Sequence, residues 1–130
     1  YFIAIRIKER NKFFNFLRNI YVNLKKLWED NFEGAINEYK KALKIDSEDW
    51  TIWYNLGVSY GRKGEAELAI SIYKKVIKLN PESGASYYNR AVQYLTKNEF
   101  DKACEDFHCA QRLGIDQASF AIEKYCAFKE

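Results

Sequence analysis

Residues 50–83 read WTIWYNLGVSYGRKGEAELAISIYKKVIKLNPES, and their pattern returns one length later. Trp53-Tyr54-Asn55 comes back as Tyr87-Tyr88-Asn89, and Tyr60 comes back as Tyr94. Ala69, Tyr73, Val76 and Leu79 come back as Ala103, Phe107, Ala110 and Leu113, every pair 34 residues apart. One step backward from Ala69, Tyr73 and Leu79 stand Ala35, Tyr39 and Ile45. A fixed period of this size marks a stacked array of one supersecondary unit, whose apolar face is buried only against its neighbours.

Within the stretch, apolar residues three and four apart predict two helices, Trp50 to Arg62 and Glu65 to Leu79, broken at Lys63-Gly64. Gly57 and Ala69 are small where paired helices must approach closely, and Trp53, Tyr60 and Tyr73 fill the space beside them. Asn80-Pro81 closes the pair, because Pro cannot continue a helix and restricts the residue before it. Moving toward the carboxyl end, Gly84 to Thr96 and Glu99 to Arg112 repeat the pair, with Ala91 in place of Gly57 and Ile115 in place of Pro81. Asp116 to Phe128 adds one amphipathic helix through Ala118, Ile122, Tyr125 and Cys126, which can cover the final pair.

Moving toward the amino end, Asn31 to Ile45 is expected to bury Phe32, Ala35, Ile36, Tyr39, Ala42, Leu43 and Ile45. Asp46-Ser47-Glu48-Asp49 then offers acceptors for the open amides of the next helix. Phe13 to Trp28 carries a further apolar stripe, matching the repeat only when the frame slides two residues to Leu17, Ile20, Tyr21 and Leu24. A degenerate first repeat with a lengthened inter-helix turn is therefore expected, as terminal repeats often are. Before it, Phe2, Ile3, Ile5 and Ile7 are expected to pack on that repeat, or else to end a membrane helix with the basic flank from Arg6 to Lys12. A span needs about 20 apolar residues, and only a handful precede the flank.

The spacing Trp53…Leu56-Gly57…Tyr60…Ala69…Tyr73…Pro81 resembles the tetratricopeptide repeat over about residues 16–117. The closing Ala103-Cys104…Asp106…Leu113-Gly114…Ala118…Tyr125-Cys126 is similar to the end of many bacterial proteins of that family. The resemblance implies an all-α fold, a right-handed α-α superhelix of about three helix-turn-helix repeats and a capping helix. The expected division is 1–15 as a basic and apolar lead, 16–49 as the degenerate repeat, 50–83 and 84–117 as full repeats, and 118–130 as the cap.

Composition limits the functions open to such a chain. Residues 1–28 hold seven Lys/Arg against one Glu, while residues 29–130 carry a net −3, so the overall +3 describes neither part. Aromatic residues make up 17% of the chain, but most recur at the period or lie on a helix stripe, which reads as core rather than base stacking. An acidic array would also repel a phosphate backbone, so nucleic acid is not expected. Catalysis is not expected either, nor a metal or other cofactor. His108 could act as base to Cys104 one turn away or share a metal with it, but no third ligand is suitably spaced, so it reads as a partly exposed helix surface residue. Gly57, Gly61 and Gly64 are packing and turn glycines without a phosphate-binding pattern. The first residue is Tyr and there is no Met, so a piece of a longer or processed chain is expected.

In arrays of this family the first helix of each pair lines a concave groove for a peptide or partner helix. Carried over, that groove takes Tyr54, Asn55, Val58 and Arg62, then Tyr88, Asn89, Val92 and Thr96, and in the shifted first repeat Arg18, Val22, Lys25 and Lys26. An Asn offers both donor and acceptor to a peptide backbone, and a Tyr offers apolar area with a polar tip. Asn55 and Asn89 could instead tie adjacent helices together. The family's clamp for chaperone carboxylate tails is incomplete, since Val22 replaces an Asn and Ala85 and Asn89 stand where cations are needed. The resemblance thus implies an interaction module for a protein or peptide; the alternative is an assembly element that self-associates or sits beside a membrane anchor.

Cys104, Cys109 and Cys126 show no CxxC spacing, and an odd count fits a reducing compartment such as the cytoplasm. In an oxidising compartment such as the periplasm, Cys104 and Cys126 could staple the cap to the last pair, which requires their Cα atoms within about 7 Å.

Overall fold

The sequence offers its backbone few places to turn, and the helices end where those places lie. The computed structural model describes residues 2–126, with the side chains of residues 2–5 and 30 excepted. These residues form six α-helices: α1 (Phe2–Ile45), α2 (Trp50–Lys63), α3 (Ala66–Leu79), α4 (Gly84–Thr96), α5 (Phe100–Arg112) and α6 (Asp116–Tyr125). Helices α2 and α3 turn at Gly64, whose φ of 94° is left-handed and suits a residue without Cβ. One period on, Asn98 makes the same turn at φ 59°, a conformation Asn tolerates better than most residues. Between pairs, Asp46 Oδ1 accepts from the amide of Glu48 and Asn80 Oδ1 accepts from that of Glu82, so the same turn is built twice. Asp49 caps α2 by accepting from the amide of Thr51 at 3.0 Å, and Trp53 Nε1 fastens the turn by donating to the carbonyl of Ser47 at 2.8 Å.

Each helix packs on the next, from α1 on α2 through to α5 on α6, which gives a solenoid. One core gathers Ile36, Leu56, Tyr60, Ala69, Ile72 and Tyr73, and a second gathers Ala91, Ala103, Phe107, Ala110, Ala118 and Ala121. Ala69, Ala91 and Ala103 are wholly buried where the helices cross. A Cβ on Gly57 would stand 2.8 Å from the Tyr73 ring, so this glycine lets the Tyr73 ring of α3 lie against the backbone of α2. The cap is joined covalently to the last pair by a disulfide between Cys104 and Cys126, whose Cα atoms lie 5.8 Å apart, and Cys109 keeps its thiol.

The amino-terminal third departs from expectation. No turn separates Phe13–Trp28 from Asn31–Ile45; the backbone runs helical through Asp30, which stands where Gly64 and Asn98 reverse the chain. Without that reversal the front of α1 cannot fold back, and Leu17, Ile20, Tyr21 and Leu24, expected in the core, are exposed. Ile7 is exposed rather than packed, and the side chains of Phe2, Ile3 and Ile5 lie outside the described residues. Ile45 is also exposed, at the very end of α1 and two residues past Leu43, which packs on the first core. The expected end of α6 at Phe128 lies outside the described residues, and Tyr125 keeps 37% of its surface exposed while Ala121, unassigned by the pattern, is buried. Among the described residues no helix is long and apolar enough to cross a membrane.

Candidate functional site

The first helices of the two full pairs, α2 and α4, line an open cleft of about 370 Å³. It is lined by Tyr54, Val58 and Arg62 of α2 and by Asn89, Val92 and Gln93 of α4, with Tyr73 of α3 at its base. The spacing explains the convergence. Residues 54, 58 and 62 sit one helical turn apart on one face of α2, and on α4 residues 92 and 93 both lie about one turn on from residue 89. Gly57 admits the Tyr73 ring from below, and a Cβ on Gly61 would meet Gln93 Nε2 at 2.7 Å, so two glycines one turn apart set the depth of the cleft.

Inside it, Asn89 Nδ2 donates to the Tyr54 hydroxyl at 3.0 Å, a bond that reaches from one repeat to the next. Asn89 therefore ties adjacent helices. Asn55, one repeat earlier, is exposed on α2 beside the lining residues. Burial pushes the Tyr73 phenol well above its usual range, and the neighbouring Tyr54 adds to the shift. Val58 and Val92 supply apolar floor, and Arg62, exposed, supplies a cation at the rim.

Of the remaining residues expected there, Tyr88 lies half-buried with its ring edge-on to Phe107 at 5.5 Å, and Thr96 donates to the carbonyl of Gln93 at 2.7 Å. Arg18, Val22, Lys25 and Lys26 are exposed on the straight front of α1 and are not among the residues lining the cleft, because the missing turn carries them away from it. Tyr73 and Gln93 went unassigned as site residues. Tyr73 reads as core by its period, which it also is, while Gln93 carries a signal in being four residues after Asn89 on the same helix face.

No reactive constellation accompanies the cleft. His108 is exposed, and Cys104 is buried and committed to the disulfide. Among the described residues no three His, Cys, Asp or Glu side chains cluster as metal ligands would.

Three family profiles match the sequence: a TPR repeat over residues 29–64, and tetratricopeptide repeats over residues 50–83 and 72–105. The chain belongs to the tetratricopeptide-repeat family. The matches to this tetratricopeptide protein begin at residue 29 and leave the straight front of α1 outside them. No curated protein matches the sequence. Among solved structures, the Yersinia enterocolitica type III secretion chaperone SycD in complex with a peptide of the translocator YopD is 21% identical, with a TM-score of 0.73 over 78% of this chain and 84% of that one. The first tetratricopeptide array of Spaghetti, bound to the HSP90 peptide SRMEEVD, is 19% identical with a TM-score of 0.71, covering 75% of this chain and 79% of its own. The Arabidopsis OM64 domain is 18% identical with a TM-score of 0.72 over 75% and 83%. At such identities the likeness is one of fold.

Proposed function

We propose that this tetratricopeptide array is a non-catalytic protein-interaction module, holding an extended peptide or a partner helix in the cleft between α2 and α4. The observation that carries the reading is the convergence of Tyr54, Val58, Arg62, Asn89 and Val92, from two successive repeats, on one open concavity. Apolar floor, aromatic wall and a rim cation are the elements by which a protein segment is gripped and oriented. Asn55, exposed on the same helix, keeps its amide for a ligand backbone. Two structures of like fold, SycD and Spaghetti, hold peptides, which supports the reading by analogy of fold. The chaperone-tail clamp is not part of it, because Ala85 and Asn89 supply no cation. Nucleic acid is not part of it either, given the −3 charge after residue 28, and no cofactor is called for. We also propose residues 50–83 and 84–117 as the working repeats, with 118–130 as the cap.

The test is capture of partners by the immobilised chain, identified by mass spectrometry, followed by titration with the peptide that emerges. Arg62→Ala and Val58→Glu should each weaken that peptide by about tenfold, or 1.4 kcal/mol. Arg62 is exposed, so its variant should melt as the parent does. Undiminished binding by both variants would place the ligand elsewhere.

A further inference from the structure

The front of α1 combines two properties that the array does not use. From Arg10 to Trp28 it carries five cations, Arg10, Lys12, Arg18, Lys25 and Lys26, and no acidic residue. Over the same stretch the large apolar residues from Phe13 to Trp28, Val22 aside, fall within one arc of about 160° at 3.6 residues per turn. Lys12 borders that arc on one side, Lys25 and Arg18 border it on the other, and Arg10 stands within the arc at its amino-terminal end. None of this surface is covered: Leu24 is 61% exposed, Trp28 is 58% exposed, and every described residue from Arg6 to Glu29 is exposed.

Three occupants could cover such a face, and width and charge separate them. A single partner helix covers a narrower seam than this arc. A second copy of α1 would set basic borders against basic borders, with no acidic residue between Arg10 and Trp28 to pair them. An anionic lipid surface meets both features at once. It takes up the broad apolar arc, which presents five aromatic side chains, and it attracts the flanking cations, whose long stems reach back toward the headgroups. The array beyond residue 28 carries −3 and would be held off that surface.

We propose that residues 10–28 form an interfacial helix, lying along an anionic membrane with the Leu17, Leu24 and Trp28 face buried among the lipids. The reading is independent of what the cleft binds. It is tested by flotation of the full chain with vesicles of phosphatidylcholine containing about 30% phosphatidylglycerol, against phosphatidylcholine alone. Binding to the anionic vesicles should be at least about tenfold tighter and should weaken in about 0.5 M salt. Lys12→Glu with Lys25→Glu should reduce it by about tenfold or more, and Leu17→Glu with Leu24→Glu should abolish it. All four residues are exposed, so each variant should keep the parent melting temperature, which separates lost binding from lost folding. Equal binding to neutral vesicles, or none to either, overturns the proposal. So does a dimer in light scattering that the two leucine substitutions disperse while vesicles go unbound, which would give the face to a second copy.

Discussion

Arg90 and Asp106 occupy the places that Leu56 and Ile72 hold one period earlier. The earlier pair is buried in the first core, and the later pair meets in a two-pronged ion pair, Nε to Oδ2 at 2.7 Å and a terminal guanidinium nitrogen to Oδ1 at 2.8 Å. The Asp106 side chain is only 7% exposed, and the Arg90 guanidinium lies over the rings of Tyr87 and Tyr94 at 5.7 and 5.9 Å. Desolvation at such a site opposes the Coulomb gain, so the pair is tolerated because both charges arrive together. Asp106→Ala, leaving a guanidinium without its partner, should therefore cost about 3–5 kcal/mol. Arg90→Leu with Asp106→Ile, which restores the residues of the preceding repeat, should be neutral or more stable by about 1–4 kcal/mol. Denaturant melts of the two variants check the contrast; a double variant as weak as the single would show that the ion pair sustains the packing of α4 on α5. Reading residues singly, an apolar period passes over both positions. Only the comparison of copies shows that the two switch from apolar to charged as a complementary set.

At the scale of helices and turns, the period extends to the surface. Lys63, at the end of α2, binds Glu33 of the preceding helix and Glu65 beyond the turn; 34 residues on, Lys97 binds Glu67 and Glu99 in the same way. Both lysines are held above their ordinary value, by Glu33 and by Glu67 first, and Glu99 is held below its own by Lys97 and then Lys102. A lowered carboxylate contributes stability that is present above its unfolded pKa of about 4.3 and is lost as pH falls through the lower folded value. A raised lysine contributes stability that is present below about 10.4 and is lost as pH rises beyond it. The melting temperature should thus fall below about pH 4.3, and Glu99→Gln should make that acid fall shallower. Melts of parent and variant from neutral to acid pH check this, and parallel curves would remove Glu99 from the acid response. The helices from α2 onward were legible because Gly64, Asn80-Pro81 and Gly114 mark where the chain must turn. The long α1 was not legible, because an amphipathic stripe states that a helix forms and not whether it folds back. That decision rested on Asp30, which can take either backbone conformation, and the groove positions of Arg18 and Lys25 were displaced with it.

Taken as a whole, the molecule has an array, matched by the family from Glu29 onward, and a helix that leads into it, and the two should be energetically separable. From Glu33 onward α1 takes part in the repeat, through its ion pair with Lys63 and through Ile36 in the first core. Ahead of Trp28, whose ring meets Phe32 edge-on at 4.7 Å, every described side chain is exposed, so removing that stretch deletes no buried contact. A helix that makes no tertiary contact lends the array little support, since most helical stability in proteins comes from packing. A chain lacking residues 1–27 should therefore change in stability by no more than about 0.5 kcal/mol. For a domain of this size that leaves the melting temperature within about 4 °C of the parent. The thermal melt, followed at the helical signal near 222 nm, decides the matter. A fall of about 10 °C or more would mean that the leading helix braces the array in solution, and its apolar face would then have an intramolecular role.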